Sequence, residues 1–235
     1  MGNDFLNKDL PYVIINMAMS ADGKIATENR EVHSFGSRYD IENLYKLRAT
    51  ADAVMCGART VESEGVILGV GGERYRKLRL RHGLRECHLR IIVSGSLSIS
   101  PELPIFKSKI SPIIILTTES VNGKRANLFS HTGANIVRCG FDKIDFIKAL
   151  KILKDQWGVK TLLCEGGGSL NSALFNVGVV KELYLTICPL IFGGKSAPTI
   201  ADGDGIASLK NAVKLSLISK KRVCEELFLR YRVIG

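Results

Sequence analysis

The sequence predicts one α/β domain: a mixed, mostly parallel sheet with helices on both faces and an antiparallel hairpin at its C-terminal end. Three observations lead there. Short β-branched apolar runs recur along the chain, helical patterns separate several of them, and the last stretch alternates with no helix between its strands. At 235 residues, 46% of them apolar and 24% charged, the chain is long enough to bury a core of its own.

The runs are "YVIINM" (12–17), "ADAVMCG" (51–57), "LRIIVSG" (89–95), "IIILTT" (113–118), "ANIVRC" (134–139), "KTLLCEGG" (160–167) and "LYLTIC" (183–188). Nearly continuous apolar runs of this length suit strands buried on both faces. In "DFIKALKILKDQWG" (145–158), Phe146, Ile147, Leu150, Leu153 and Trp157 recur at helical spacing, Asp145 stands at the N-cap position and Gly158 at the stop. "DIENLYKLRAT" (40–50) is a second helix and "SLNSALFNVG" (169–178) a third. "VKLSLISKKRVCEELFLRYRVI" (213–234) reads as an antiparallel pair that finishes the sheet. No repeat, linker or low-complexity segment interrupts the pattern, so the expected unit is 1–235 with its core from about residue 11.

Several classes drop out. The N-terminus shows no basic region followed by an apolar stretch, and Leu6 stands where a myristoylation site needs Ser or Thr. No apolar run reaches the length of a membrane span. The six cysteines form no C-x-x-C pair and several fall in apolar runs, which suits reduced thiols in a cytoplasmic protein and no metal site. "PLIFGGKS" (189–196) ends like a P-loop but begins with Pro189 in place of glycine. "ADGDG" (201–205) lacks the further acids of a calcium loop and reads as an acidic surface turn. A net charge of +10 favours anionic partners, either nucleic acid or phosphorylated small molecules. The densest basic stretch, 73–87, reads as a solvated helix and loop, with Tyr75 its one aromatic for stacking on bases.

"CEGGGSL" (164–170) joins a strand to a helix. A turn of that kind offers free backbone N–H groups and a helix dipole to an anion, and glycines let a phosphate approach the backbone. A dinucleotide pyrophosphate fits such a turn, although the G-x-G-x-x-G fingerprint is absent. In "NMAMSADGKIAT" (16–27), Ser20, Asp22 and Lys24 alternate around Gly23 at the end of the first strand, and so bring a hydroxyl, a carboxylate and an ammonium to the sheet edge.

Taken with "LRATADAVMCGARTVESEG" (47–65) and "LLCEGGGSLNSALFNVGVVKELYLTICPLIFGG" (162–194), that block resembles the pyrimidine reductases of riboflavin biosynthesis, which share the three-layer dihydrofolate reductase-like fold. The resemblance runs from Tyr12 to the end of the chain. No H-x-E or P-C-x-x-C signature of the zinc deaminase domain carried by bifunctional relatives is present, so the chain looks like the free-standing reductase. The resemblance implies NADPH as cofactor, with the glycine turn (Gly166, Gly167, Gly168, Ser169 and Leu170) at its pyrophosphate. It further implies Thr60 with Gly57 and Ala58 as cofactor contacts, and Glu64 where the family usually has Asp. Val93, Ser94, Gly95 and Ser96 would lie at the adenosine end, with Ser94 as a hydrogen-bond donor to the 2′-phosphate.

On the substrate side the resemblance implies Asn16, Ser20, Asp22, Lys24, Arg48 and Glu165. Arg48 would help to hold the ribose phosphate, and Glu165 would meet the sugar or the pyrimidine. The family's D-P-x-L-x-x-R pattern is replaced by "GVILGVGGERYR" (65–76), which leaves Arg74 or Arg76 as its substitute. The implied reaction reduces a ribosylamino pyrimidine 5′-phosphate to the ribitylamino compound in a cytoplasmic homodimer with no membrane, nucleic-acid or metal partner. Asp22, Lys24, Glu165 or water would deliver the proton. Two rivals stay open at this point: a reductase of the same fold acting on a pterin or folate, and a non-catalytic nucleic-acid binder.

Overall fold

Neighbouring residues of a strand point to opposite faces, so an unbroken apolar run needs cover on both sides. The chain meets that demand in the computed structural model, which describes residues 9–31, 35–62 and 66–234. Strands β1 (Tyr12–Ser20), β2 (Ala53–Gly57), β3 (Leu89–Val93), β4 (Ile113–Thr117), β5 (Asn135–Arg138), β6 (Thr161–Cys164), β7 (Val180–Cys188), β8 (Lys214–Val223) and β9 (Glu226–Ile234) form one sheet. Their order is β5-β4-β3-β2-β6-β1-β7-β9-β8. From β5 to β7 every neighbour is parallel, and β9 and β8 then add in antiparallel fashion.

Helices α1 (Arg38–Arg48), α2 (Ala58–Val61), α3 (Glu73–Arg81), α4 (Pro104–Lys107), α5 (Gly123–Asn127), α6 (Phe146–Trp157) and α7 (Gly168–Asn176) complete the layers. Consecutive strand residues divide between two cores. Ile15, Met55, Ile91 and Leu162 pack beneath α6 and α7 with Leu150, Leu153, Leu170 and Leu174. Ile14, Val54, Ile92 and Leu163 face the other way, against Leu47 of α1, Val61 of α2 and Ile105 and Phe106 of α4. Each such aliphatic side chain removed from water contributes roughly 1.5–3 kcal/mol.

The predicted ends of α6 hold: Asp145 accepts from the Lys148 N–H at 3.0 Å, and Gly158 closes the helix with φ 69°. Helix α1 begins earlier than its periodicity suggested, because Ser37 is the N-cap and accepts from the Tyr39 N–H at 3.1 Å. Its last helical residue is Arg48.

The basic stretch departs from a purely solvated face. Arg79, in α3, is 1% exposed and donates to the carbonyls of Arg48 at 2.5 Å, Ala51 at 2.6 Å and Arg85 at 2.9 Å. It thus closes the carbonyl end of α1 with a cation, where the helix dipole favours one. Arg90 is used in the same way on the carbonyls of Ile105, Ser108 and Ser111. His88 is buried beside them, and its Nε2–H donates to the Leu68 carbonyl at 2.9 Å, since a carbonyl can only accept.

Burial pushes the His88 imidazole down to about 3; the bond to Leu68 opposes this, and the guanidinium groups of Arg48, Arg79 and Arg90 add to it. The unfolded chain takes up a proton below about 6.5 that the folded chain refuses until about 3, so this residue costs stability as pH falls through that window. His88→Gln keeps a donor for Leu68 and should flatten the pH dependence by up to about 1.4 kcal/mol per pH unit, read by urea unfolding across the window. A wild-type slope retained in the variant contradicts a neutral buried His88.

Candidate active site

The carboxyl ends of β1, β2, β3 and β6 open on one cleft of about 1080 Å³. Its place follows from topology. Strand β6 lies between β2 and β1; the chain leaves β1 toward α1 on one face and leaves β6 toward α7 on the other, so a crevice opens where the connections part.

The glycine turn supplies the floor, and its three glycines do different work. Gly166 has φ +77°, and a Cβ there would lie 2.7 Å from the Met17 sulfur. Its carbonyl accepts from the Gly57 N–H at 2.8 Å, and the Gly166–Gly167 peptide is cis. A Cβ on Gly168 would meet the Thr199 carbonyl and, at 2.5 Å, an Asp202 oxygen. At Gly167, the N-cap of α7, it would meet nothing nearer than the Thr60 hydroxyl at 4.0 Å. Two of these glycines are packing requirements, and Gly167 faces open cleft.

Gly57, Ala58, Thr60, Val93, Gly95, Gly167, Gly168, Ser169 and Leu170 line the cleft. Gly166 lies behind the turn against Met17, Ser96 is exposed and outside the cleft lining, and Ser94 is buried with no hydrogen-bond partner for its hydroxyl. Glu64 lies outside the described residues. Asn16, Arg48 and Glu165 line the cleft as well.

Ser20, Asp22 and Lys24 are outside its wall and form a brace. Ser20 donates to Asp22 at 2.6 Å, and Asp22 accepts from the backbone of Phe192 at 3.2 Å and Gly193 at 2.8 Å. The Ser20 hydroxyl is the main cause of an Asp22 carboxyl lowered to about 2, with the two backbone donors adding to it against some desolvation. Lys24 donates to the Ala197 carbonyl at 3.1 Å. The three residues tie the loop after β1 to the loop after β7. Asp202 is more than a surface turn: it accepts from Thr199 and reaches the cleft wall. Arg74 and Arg76 do not reach the wall; Arg74 lies over the Tyr75 ring at 5.6 Å and Arg76 pairs with Glu86 at 3.5 Å.

Arg48 and Glu165 form a bidentate pair, Nε to Oε1 and Nη2 to Oε2, both at 2.6 Å. Arg48 Nη1 donates to the Gly69 carbonyl at 2.5 Å. The side chains are 9% and 10% exposed. Burial works against the charge on Arg48, yet the Glu165 carboxylate outweighs it and the guanidinium is held above its ordinary value. Arg48 also lies over the Tyr45 ring at 5.5 Å, and Tyr45 packs on Tyr75 at 5.3 Å. Sequence reasoning missed this pairing, because nothing local marks partners 117 positions apart. It also missed Asp40, Arg30 and Lys143, which line the cleft.

The sequence profile of the RibD C-terminal domain family matches residues 11–229. The chain belongs to that family. Among relatives of this RibD C-terminal domain, the 2,5-diamino-6-ribosylamino-4(3H)-pyrimidinone 5′-phosphate reductase of Aquifex aeolicus is 31% identical over 229 residues, which cover 96% of this chain and 97% of that one. A solved pyrimidine reductase-like protein from Corynebacterium diphtheriae has the same fold, with TM-score 0.78 at 21% identity over 100% of this chain and 96% of that one. RibD of Acinetobacter baumannii matches at TM-score 0.76 and 19% identity over 96% of this chain, which spans 58% of that longer protein.

Removing one partner of a buried pair strands the other charge, at a cost of about 3–5 kcal/mol, whereas replacing both with apolar groups is often close to neutral. Arg48→Ala should therefore lower stability by about that amount, and the double variant Arg48→Met/Glu165→Leu should recover most of it, measured by denaturant unfolding. Equal and additive losses contradict a coupled pair.

Proposed function

We propose that this protein is the NADPH-dependent reductase that converts the ribosylamino side chain of 2,5-diamino-6-ribosylamino-4(3H)-pyrimidinone 5′-phosphate to ribitylamino in riboflavin biosynthesis. The observation that carries the reading is the open backbone at Gly167, in a cleft wide enough for a dinucleotide and a second ligand together. It stands in a chain whose end-to-end relative bears that substrate in its name.

The residues present fit a dinucleotide. Gly167 and the first turn of α7 offer backbone to a pyrophosphate, Thr60 flanks it, and Val93 and Gly95 extend the wall toward the adenosine end, where Lys143 adds a cation. When bound, the reduced nicotinamide supplies hydride to C1′ of the ring-opened substrate. Glu165, both oxygens accepting from Arg48, keeps lone pairs for sugar hydroxyls and so orients the substrate chain. The charge of Arg48 is neutralised by Glu165, so Arg30 in the cleft wall is the cation we assign to the phosphate. Because Asp22 and Lys24 are held in the loop brace, we assign proton delivery to water.

Family membership favours a pyrimidine substrate over a pterin, and the burial of Arg79 and Arg90 removes two cations from any nucleic-acid surface. All six cysteines are free, in keeping with a cytoplasmic setting, and no helix among the described residues is long and apolar enough to cross a membrane. We read the protein as a homodimer joined through the hairpin. Strand β8 is a sheet edge with Leu215 40%, Leu217 49% and Ile218 38% exposed, a surface a soluble monomer rarely leaves bare. Sedimentation should return a dimer that Leu217→Lys weakens; a wild-type monomer contradicts this assignment.

Gly167 separates cofactor binding from folding. Its φ of −73° is open to any residue, so Gly167→Val should fold while its side chain enters the space assigned to pyrophosphate. Nicotinamide fluorescence should show NADPH affinity weakened by about tenfold or more, with turnover of the diamino substrate falling alongside. Wild-type cofactor affinity in the folded variant would remove the cofactor from this turn. Failure of the wild type to oxidise NADPH with that substrate would overturn the reading as a whole.

A further inference from the structure

Three buried side chains converge on one short stretch of backbone in the cleft wall. Residues 66–71, between α2 and α3, form no helix or strand, and among the described residues none of their backbone groups pairs with another backbone group. A segment without such a ladder is ordinarily loose, since little offsets the entropy of ordering it. Here the carbonyls of Ile67, Leu68 and Gly69, consecutive in the chain, accept in turn from Arg90 Nη1 at 3.4 Å, His88 Nε2 at 2.9 Å and Arg48 Nη1 at 2.5 Å. Leu68 at their centre is left-handed, with φ 51°, a conformation rare for a residue with a side chain. It persists where the surroundings over-determine it.

The two arginines also serve elsewhere. Arg48 pairs with Glu165, and Arg90 holds the carbonyls of Ile105, Ser108 and Ser111. The His88 ring has the Leu68 carbonyl on Nε2, while its buried Nδ1 has no partner. Burial and the neighbouring guanidinium groups keep it uncharged. An apolar residue of similar volume would pack at this place with neither the orphaned nitrogen nor the loss of stability at low pH. Core packing alone therefore does not account for an imidazole here, and the bond to Leu68 does. A fold retains a costly buried group of this kind mostly where function uses it.

Val66, Ile67, Leu68, Gly69 and Gly71 line the cleft. Gly69 gives Arg48 its third partner, and the other two guanidinium bonds orient Glu165. Gly71 abuts the Tyr45 ring, which a Cβ there would strike, and Arg48 lies over the same ring. A shift of 66–71 would leave Arg48 with an unfilled donor and Glu165 without one fixed place.

We propose that His88 is a positioning residue for the reaction: through Leu68 it fixes segment 66–71, and so keeps Arg48 and Glu165 set for the substrate. This rests on the reductase reading above. A wall displaced by about 1 Å misaligns the substrate with the hydride donor and lowers the rate. The His88 bond runs to Leu68 and not to the glycine turn or Thr60, so cofactor affinity is left alone.

His88→Leu removes the donor and keeps most of the bulk. It should raise KM for the diamino pyrimidine substrate and lower kcat/KM by about tenfold, with NADPH affinity at the wild-type value. His88→Gln, whose amide reaches Leu68, should recover most of the loss. With active sites counted by NADPH binding, a smaller folded fraction leaves KM unmoved. Where His88→Leu does not fold, His88→Asn, one methylene too short for Leu68, is set against His88→Gln in its place. Wild-type KM and kcat/KM in the apolar or short variant overturn the assignment, as does a loss that Gln does not recover. A second readout needs no turnover. In 15N-glycine-labelled protein the amides of Gly69 and Gly71 should shift and broaden in the apolar or short variant and return in His88→Gln, while Gly167 and Gly168 stay in place. Gly69 and Gly71 unmoved overturn the proposal. No turnover by wild type, with Gly69 and Gly71 still answering to His88, instead overturns the reductase reading and leaves the hold of His88 on 66–71 standing.

Discussion

The buried pair between Arg48 and Glu165 is the constraint on which the cleft depends. It fastens the last turn of α1 to the carboxyl end of β6, and through Gly69 it holds the backbone of a third segment. Arg79 grips the carbonyl of Arg48 from below, so the same turn of α1 is fixed by two guanidinium groups. Two charges out of water are stable only when nearly every donor and acceptor finds a partner, which makes the geometry nearly all-or-none. The glycine turn starts at the residue after Glu165, and Asp40 lies two turns back along α1 from Arg48. One ion pair therefore sets the distance between the wall assigned to cofactor and the wall assigned to substrate.

The sheet places that pair where it is useful. Parallel strands put loop after loop at one edge, and β6, inserted between β2 and β1, brings a turn late in the chain beside the first strand. The glycines there answer to different neighbours: Met17 for Gly166, Thr199 and Asp202 for Gly168, open cleft for Gly167. Local packing and ligand approach are interleaved residue by residue, which is why a glycine-rich turn alone points weakly to a site.

Much of the fold was legible because double-sided burial leaves a plain trace. The runs that became β2, β3, β4 and β6, the capped α6, and the alternating pair β8 and β9 all lie where the pattern of apolar residues puts them. The start of α1 was not, since its cap depends on Glu226, far along the chain in β9. Arg79, Arg90 and His88 were illegible for a related reason: a charged or polar residue in a basic stretch looks solvated until the carbonyls it will meet are known. At the site, Gly167, Gly168, Thr60, Arg48 and Glu165 line one cleft, but the pairing of Arg48 with Glu165 has no trace in the sequence. Ser20, Asp22 and Lys24 looked equally chemical, and only the path of the loop after β7 reveals them as a brace. Asp40 carried the opposite disguise, an acid at a helix start, where acids are ordinary.

The central claim is that the two walls joined by Arg48 and Glu165 serve two ligands, with the nucleotide on the glycine side. Titrating NADPH into protein labelled with 15N-glycine tests it without turnover. The account predicts the largest amide shifts at Gly57, Gly95, Gly167 and Gly168, with Gly36 and Gly71 on the α1 side nearly still until a pyrimidine ligand is added. Shifts centred on Gly36 and Gly71, with the glycine turn unmoved, would contradict it.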